Sequence, residues 1–543
     1  MKYRLLILGI LITTSINAQL LKDKAQFTKQ DTLRGSITPE REWWDLNYYD
    51  LNIKVQPDKK FIAGYNIIRY KVLKSHNIIQ IDLQDPLEIV AFVQDDVQLD
   101  YNKIGSAYFV FLQKEQVPGD YNELYVQYSG QPKEAVRAPW DGGFSWKKDK
   151  NGNHFVATSC QGLGASVWWP NKDHMYDEVD SMLISVTVPR GLKNISNGRL
   201  RDIRLNNDNT ERWSWFVSNP INNYGVNINI GDYENFSESY EGEKGNLDMY
   251  YWVLSYNLEK AKEHFKDAPK MMKAFEHWFG PYPFYEDSFK LVEVPYLGME
   301  HQSSVTYGNK FKNGYLGNDL SGTGWGLKFD FIIIHEAGHE WFANNITNKD
   351  IADMWIHEGF TAYSENLFLD YYYGKEAAAD YVIGTRANIQ NDRPLIGQYH
   401  VNNEGSSDMY YKGANMLHTL RQLIGDDEKW RQILRGLNSE FYHQTVTTKQ
   451  IEDYISEQSK IDLAEFFDQY LRTTMIPTLE YKIENGELKY RWINIVDGFD
   501  MPVQIEIDGK SEWLFPKAEW QIKSVKANDI KIDRDFYVES KNI

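Results

Sequence analysis

Residues 332–342 read IIIHEAGHEWF, an apolar run that leads straight into His335, Glu336, His339 and Glu340. A buried helix tolerates ionisable groups poorly, because an unpaired buried charge costs about several kcal/mol. A metal ion is one compensator. Four residues apart on a helix, His335 and His339 point to one side, about 40° from each other. This is the H-E-x-x-H arrangement, in which both imidazoles reach one zinc at about 2.0–2.1 Å. The competing reading, two satisfied histidines on a helix, has to be weighed against the surrounding sequence.

A catalytic zinc takes three protein ligands and keeps one position open. The third should be a carboxylate on a separate element. After His339 come eighteen residues and then Glu358, within DMWIHEGFTAYSENLFLDYYYG, a second helical segment beyond the polar connector NNITNKD. Glu358 stands among Trp355, Ile356 and Phe360, where an unliganded carboxylate is costly. His335, His339 and Glu358 therefore form the expected site for one zinc per chain. Glu336, turned about 100° from the first ligand, can face the open position and take a proton from water that the metal acidifies. Glu365, seven residues after Glu358, either orients a liganding imidazole or is an ordinary exposed glutamate. Glu340 reads as a structural acid.

Outward from this core, 543 residues are too many for one hydrophobic core, so several domains are expected. A net charge of −18 repels phosphate backbones, which argues against nucleic-acid binding. The N-terminus MKYRLLILGILITTSINAQ reads as a signal for export, with Lys2 and Arg4 before a short apolar run and Ala18 at the cleavage point. That run is too short for a stable membrane span, so the mature chain is expected to be periplasmic or secreted. The single cysteine, Cys160, excludes an intramolecular disulfide and reads as a buried small residue.

From about residue 40 to 235, runs such as LNIKVQ, MLISVTV and VNINI alternate with period two, which predicts strands. Asn151-Gly152 predicts a hairpin turn. Near 257 the texture becomes helical: NLEKAKEHFKDAPKMMKAFEHWF predicts one helix capped by Asn257 and stopped at Gly280-Pro281. After Pro477 the tail alternates again. The expected division is a signal peptide at 1–18, an N-terminal β domain at 19–238, a catalytic domain at 239–477 and a small β domain at 478–543.

The motif HEAGHEWFANNIT, the eighteen-residue gap and WIHEGFTAYSE resemble the gluzincin aminopeptidases of the aminopeptidase N and leukotriene-hydrolase family, a likeness that runs from roughly residue 140 to 477. The resemblance implies a curved N-terminal β domain, a thermolysin-like α+β catalytic domain and a small C-terminal β domain. An exopeptidase must also hold a free α-ammonium, for which an anion in a dry pocket serves. VEVPYLGMEHQSS resembles the family's Gly-x-Met-Glu-Asn segment, which makes Gly298, Met299 and Glu300 substrate-binding residues and Glu300 the amine acceptor. As a sheet edge, the segment would pair with the peptide backbone. It departs from the pattern at Leu297 and His301, which leaves the shape of the first side-chain pocket open. Tyr410-Tyr411-Lys412-Gly413 resembles the family's Tyr-x-Lys-Gly, so Tyr410 is the expected oxyanion donor and Tyr411 the structural alternative. Thr158, Cys160 and Gln161 resemble a family strand whose Gln or Glu lines the substrate site beside the amine-binding glutamate, which makes Gln161 a substrate-binding residue. SGTGWGLK, with no βαβ unit around it, reads as a loop at the cleft mouth.

The resulting expectation is an exported zinc aminopeptidase acting on peptides with a free N-terminus. About sixty-six residues follow Pro477, too few for the large helical cap of many relatives, so a comparatively open site is expected. An endopeptidase or epoxide hydrolase on the same zinc site, and a non-catalytic peptide-binding protein, are the rival readings.

Overall fold

The computed structural model describes residues 26–507, 509–526 and 529–543; the expected signal peptide lies outside the described residues. Period-two alternation builds the first body. Trp44–Gln56 buries Leu51, Ile53 and Val55 on one face, pairs antiparallel with Phe61–Val72 and parallel with Ser181–Pro189, and so lies inside an eight-stranded sheet. A four-stranded sheet packs beside it, containing Gly143–Lys148 and His154–Ser159. The Asn151-Gly152 turn joins these two strands as expected, and Gly152 takes φ +88°, which a side chain would disfavour. One apolar core unites both sheets.

A five-stranded sheet follows in the order Tyr233–Gly242, Gly245–Leu254, Phe289–Glu293, Val305–Tyr307, Gly298–Met299. Its first strand runs across the expected 238/239 boundary. Its last strand, the short Gly298–Met299, forms the edge, so this segment is available for strand addition. Met299 is 3% exposed and packs into the core of the N-terminal β body, which ties the two regions together beside the cleft.

The expected single helix after 257 is two helices, Leu258–His264 and Asp267–Phe279, and Asn257 makes no side-chain cap. Pro269 explains the break: its ring clashes with the carbonyl four residues back, at Phe265, and a proline is accommodated only in the first turn of a new helix. Three helices carry the rest of the site: α1 (Phe331–Gly338), α2 (Trp355–Tyr373) and α3 (Tyr411–Ile424). The tail begins a strand at Thr478 and forms a four-stranded and a three-stranded sheet. Its Trp492, Val503 and Phe536 share one core with the helices. The architecture is thus an N-terminal β-rich domain, a helical catalytic region and a C-terminal β region. Among the described residues no helix is long and apolar enough to cross a membrane.

Candidate metal centre and substrate cleft

Asp330 starts α1 by accepting from the Ile332 and Ile333 amides at 3.0 and 3.3 Å, two of the donors a helix start leaves unpaired. His335 stands in the last turn, and His339 keeps helical dihedrals at the C-cap. Both imidazoles therefore stay on one side although the regular helix ends at Gly338. Glu358 arrives from the first turn of α2. Its Oε2 lies 3.6 Å from His335 Nε2 and 3.3 Å from His339 Nε2. A tetrahedral ion with bonds of about 2.0–2.1 Å has ligand–ligand edges of about 3.4 Å, so these separations suit one metal. Glu358 Oε2 is also buried without a hydrogen-bond partner, a deficit that a cation removes.

Hydrogen bonds set the tautomers. His335 Nδ1 faces Glu365 Oε1 at 2.7 Å, and Tyr381 donates to the other Glu365 oxygen at 2.5 Å. A carboxylate only accepts, so the proton sits on Nδ1 and the Nε2 lone pair points to Glu358. The Phe342 carbonyl, 3.0 Å from His339 Nδ1, fixes the second ring in the same way. Glu365 is 1% exposed, so its reading as a solvated surface acid does not hold. Burial opposes charge throughout this cluster, yet the mutual attractions win. Glu358 and Glu365 hold His335 well above the histidine range, and His339 holds Glu358 well below the carboxylate range. The pocket is built to keep positive charge.

Glu336 is 8% exposed, and burial lifts its carboxyl to about 8 against the opposing charge of His335. Gly298 lies directly over it. A Cβ at 298 would come 2.6 Å from Ile332 Cγ2 and 3.0 Å from Glu336 Oε1. Only glycine lets the edge strand settle on α1 without pressing on Glu336.

Glu300, 2% exposed, forms a second pole. One of its oxygens, Oε1, accepts from Gln161 Nε2 at 2.7 Å and from the Tyr224 hydroxyl at 3.1 Å. Gln161 also donates to Glu358 Oε1 at 3.1 Å, so it braces the two poles against each other. No donor among the described residues reaches Glu300 Oε2. His301 is fully buried, and burial lowers its pKa to about 3, so it is a neutral packing residue there. Cys160 is buried, as expected.

The two tyrosines at the start of α3 separate in environment. Tyr410 stacks on His335 with ring centroids 5.8 Å apart. Burial, and then the charges of Glu358, Glu300 and Glu336, keep its hydroxyl protonated. Tyr411 senses Glu365 instead, while Lys412 turns away to the Thr473 carbonyl at 2.9 Å. Gly413 and Gly359 explain the glycines of both motifs. A Cβ at 413 would lie 2.9 Å from Gly359 Cα, so α3 meets α2 almost backbone to backbone. His335, Glu336, His339, Glu358, Glu300 and Gln161 open on one cleft of about 510 Å3, within the range that encloses a small ligand. Leu297, Gly298 and Met299 line it as well, and so do both tyrosines.

Tyr224 and His357 were not singled out in the sequence. The Asn348 amide donates to His357 Nε2 at 2.8 Å, which leaves the ring proton on Nδ1, 3.4 Å from the Tyr224 oxygen. That orients the Tyr224 proton toward Glu300.

Residues 263–470 match the Peptidase family M1 domain. The chain is similar to probable aminopeptidase 1 of Sulfurisphaera tokodaii, 23% identical over 81% of this chain and 56% of that protein. It is also similar to leukotriene A-4 hydrolase of Xenopus laevis, 26% identical over 55% and 50% of the respective chains. The chain thus spans about half the length of these curated relatives. Among solved structures, an M1 zinc metallopeptidase mutant of Deinococcus radiodurans bound to a Tyr-Ser-Ala substrate superposes with a TM-score of 0.69 at 19% identity, covering 81% of this chain and 96% of that one.

Proposed function

We propose that the chain is a gluzincin aminopeptidase, a zinc enzyme exported to the periplasm or beyond that removes the N-terminal residue from peptides. The observation that carries this reading is the pairing of two poles. A three-ligand site, His335, His339 and Glu358, stands beside a buried Glu300 with one oxygen saturated and the other free. The free oxygen suits a substrate ammonium, and the first peptide carbonyl then falls near the metal site.

Zinc, when bound there, supplies Lewis acidity toward water and the scissile carbonyl. The protein's own groups supply the rest. Glu336 takes the proton of the attacking water and returns it to the departing amine. The Tyr410 hydroxyl, kept protonated by its buried acidic surroundings, donates to the oxyanion that forms on the carbonyl. Glu300 and Gln161 hold the amine end, while Glu365 and the Phe342 carbonyl keep the imidazoles turned inward. Gly298–Met299 offers its edge to the substrate backbone.

The test is hydrolysis of aminoacyl amides beside their N-acetylated counterparts. Cleavage of the free amine only, lost on chelation and lost by roughly 10²–10⁴-fold in Glu336→Gln with metal retained, is the expected result. Internal cutting of an acetylated peptide would replace this reading with the endopeptidase, and no turnover at all with the peptide-binding protein.

A further inference from the structure

Acidic and neutral groups dominate the substrate cleft, and its lining contains one arginine and no lysine: Arg393. The residue sits in an exposed stretch between α2 and α3, with 57% of its side chain open to solvent. Its Nη2 donates to the Gly405 carbonyl at 3.1 Å, which anchors the guanidinium to the loop leading into Tyr410. The nearest carboxylate, Asp392, stays 4.0 Å from Nε, too far for a hydrogen bond. Among the described residues Nη1 has no partner. A guanidinium so held keeps donors in a planar fork that fits a carboxylate, and unlike an ammonium it can do so with two parallel bonds.

An unpaired cation in this place bears on selection. The cleft is acidic around the metal pole, with Glu300, Glu336 and Glu404 all on its walls, in a protein of net charge −18. On this lining Arg393 is the one side chain that offers a substrate carboxylate a guanidinium fork. Two other acidic wall residues lie on these loops: Glu404, which feels the charge of Arg393 without bonding to it, and Asp408, which already accepts from the Gln390 and Asn391 amides. The charge of Asp408 is thereby spent on holding the loop. Arg393 has no comparable internal task beyond its single carbonyl contact.

We propose that Arg393 is an anion subsite of this cleft that takes a carboxylate of the substrate, and so biases the enzyme toward short peptides carrying one. The inference rests on the aminopeptidase reading above. The carboxylate has two sources: the C-terminus of a di- or tripeptide, or the side chain of an acidic N-terminal residue. A volume of about 510 Å3 favours a short peptide held at both ends.

Two substrate pairs separate these sources. Leucylglycine against its C-terminal amide reads the C-terminal carboxylate; glutamyl against glutaminyl p-nitroanilide reads the acidic side chain. In the wild-type protein one pair is expected to favour the carboxylate by about ten-fold in kcat/KM, the scale of a charge-assisted bond at a half-open site. That ratio should collapse toward one in Arg393→Gln and recover in part in Arg393→Lys, which keeps the charge but not the fork. Ratios near one for both pairs in the wild type, or a preference that survives in Arg393→Gln, overturn the subsite. If leucylglycine, its amide and both anilides all go uncut by the wild-type protein, the aminopeptidase reading itself falls, and the subsite with it.

Discussion

Tyr224 donates to the same oxygen of Glu300 that receives Gln161, and this shared target gives both residues meaning. Two donors on Oε1 hold the carboxylate and leave Oε2 turned to the cleft. Removing the hydroxyl by Tyr224→Phe keeps the ring and its packing. The loss of one hydrogen bond to a charged group then predicts a KM for free-amine substrates raised about three- to ten-fold, with kcat within about two-fold. Steady-state kinetics on an aminoacyl amide checks this, and an unchanged KM would remove Tyr224 from the amine site. At this scale the sequence was legible where ligands lie close along the chain. His335, His339 and Glu358 occupy two neighbouring segments with a recognisable spacing. Tyr224 lies 76 residues before Glu300 and comes from the β domain, so no local pattern marks it. Gln161, 139 residues away, was found only through a resemblance. His357 was hidden differently, since a histidine beside a ligand looks the same whether it serves or merely packs.

Between elements, glycine decides how closely helices α2 and α3 approach. In an ordinary helix interior, Gly→Ala stabilises by about 1 kcal/mol. At Gly413 the added carbon would stand 2.9 Å from the Gly359 backbone, so the sign should reverse. Gly413→Ala is expected to lower the melting temperature and to cut kcat/KM by on the order of ten-fold, as Tyr410 moves away from His335. A higher melting temperature with full activity would contradict this packing account. Element boundaries were the least legible feature for the same steric reasons. The apolar period from 257 to 279 is continuous, but Pro269 splits the helix. Helix α1 likewise ends at Gly338, one residue before the second histidine, and retains the ligand geometry only because His339 stays in the helical region.

Across the whole molecule, the β-rich and helical regions meet around the cleft, and neutral buried histidines sit at or near that junction. Burial lowers His301 and His357 to about 3, while an unfolded chain keeps histidine near 6.5. Between those values the unfolded state binds more protons, so stability is present above about 6.5 and is lost as pH falls toward 3. The share of these rings in the melting temperature, read as the difference between the wild type and His301→Gln, should therefore shrink between pH 7 and pH 4.5, and a difference that does not change with pH would contradict the burial of that ring. The division into β, helical and β regions was legible from the change of period along the chain. That the C-terminal strands share a core with the helices was not, because alternation reports which face is buried and not against what. The whole account turns on one cation seated by three side chains from two helices. Metal analysis of the purified full-length protein tests it directly. The prediction is about one zinc per chain in the wild type and in Glu336→Gln, and strong loss in Glu358→Ala. A folded wild-type protein that carries no zinc and takes none up, or a Glu358→Ala variant that retains it fully, would contradict the account.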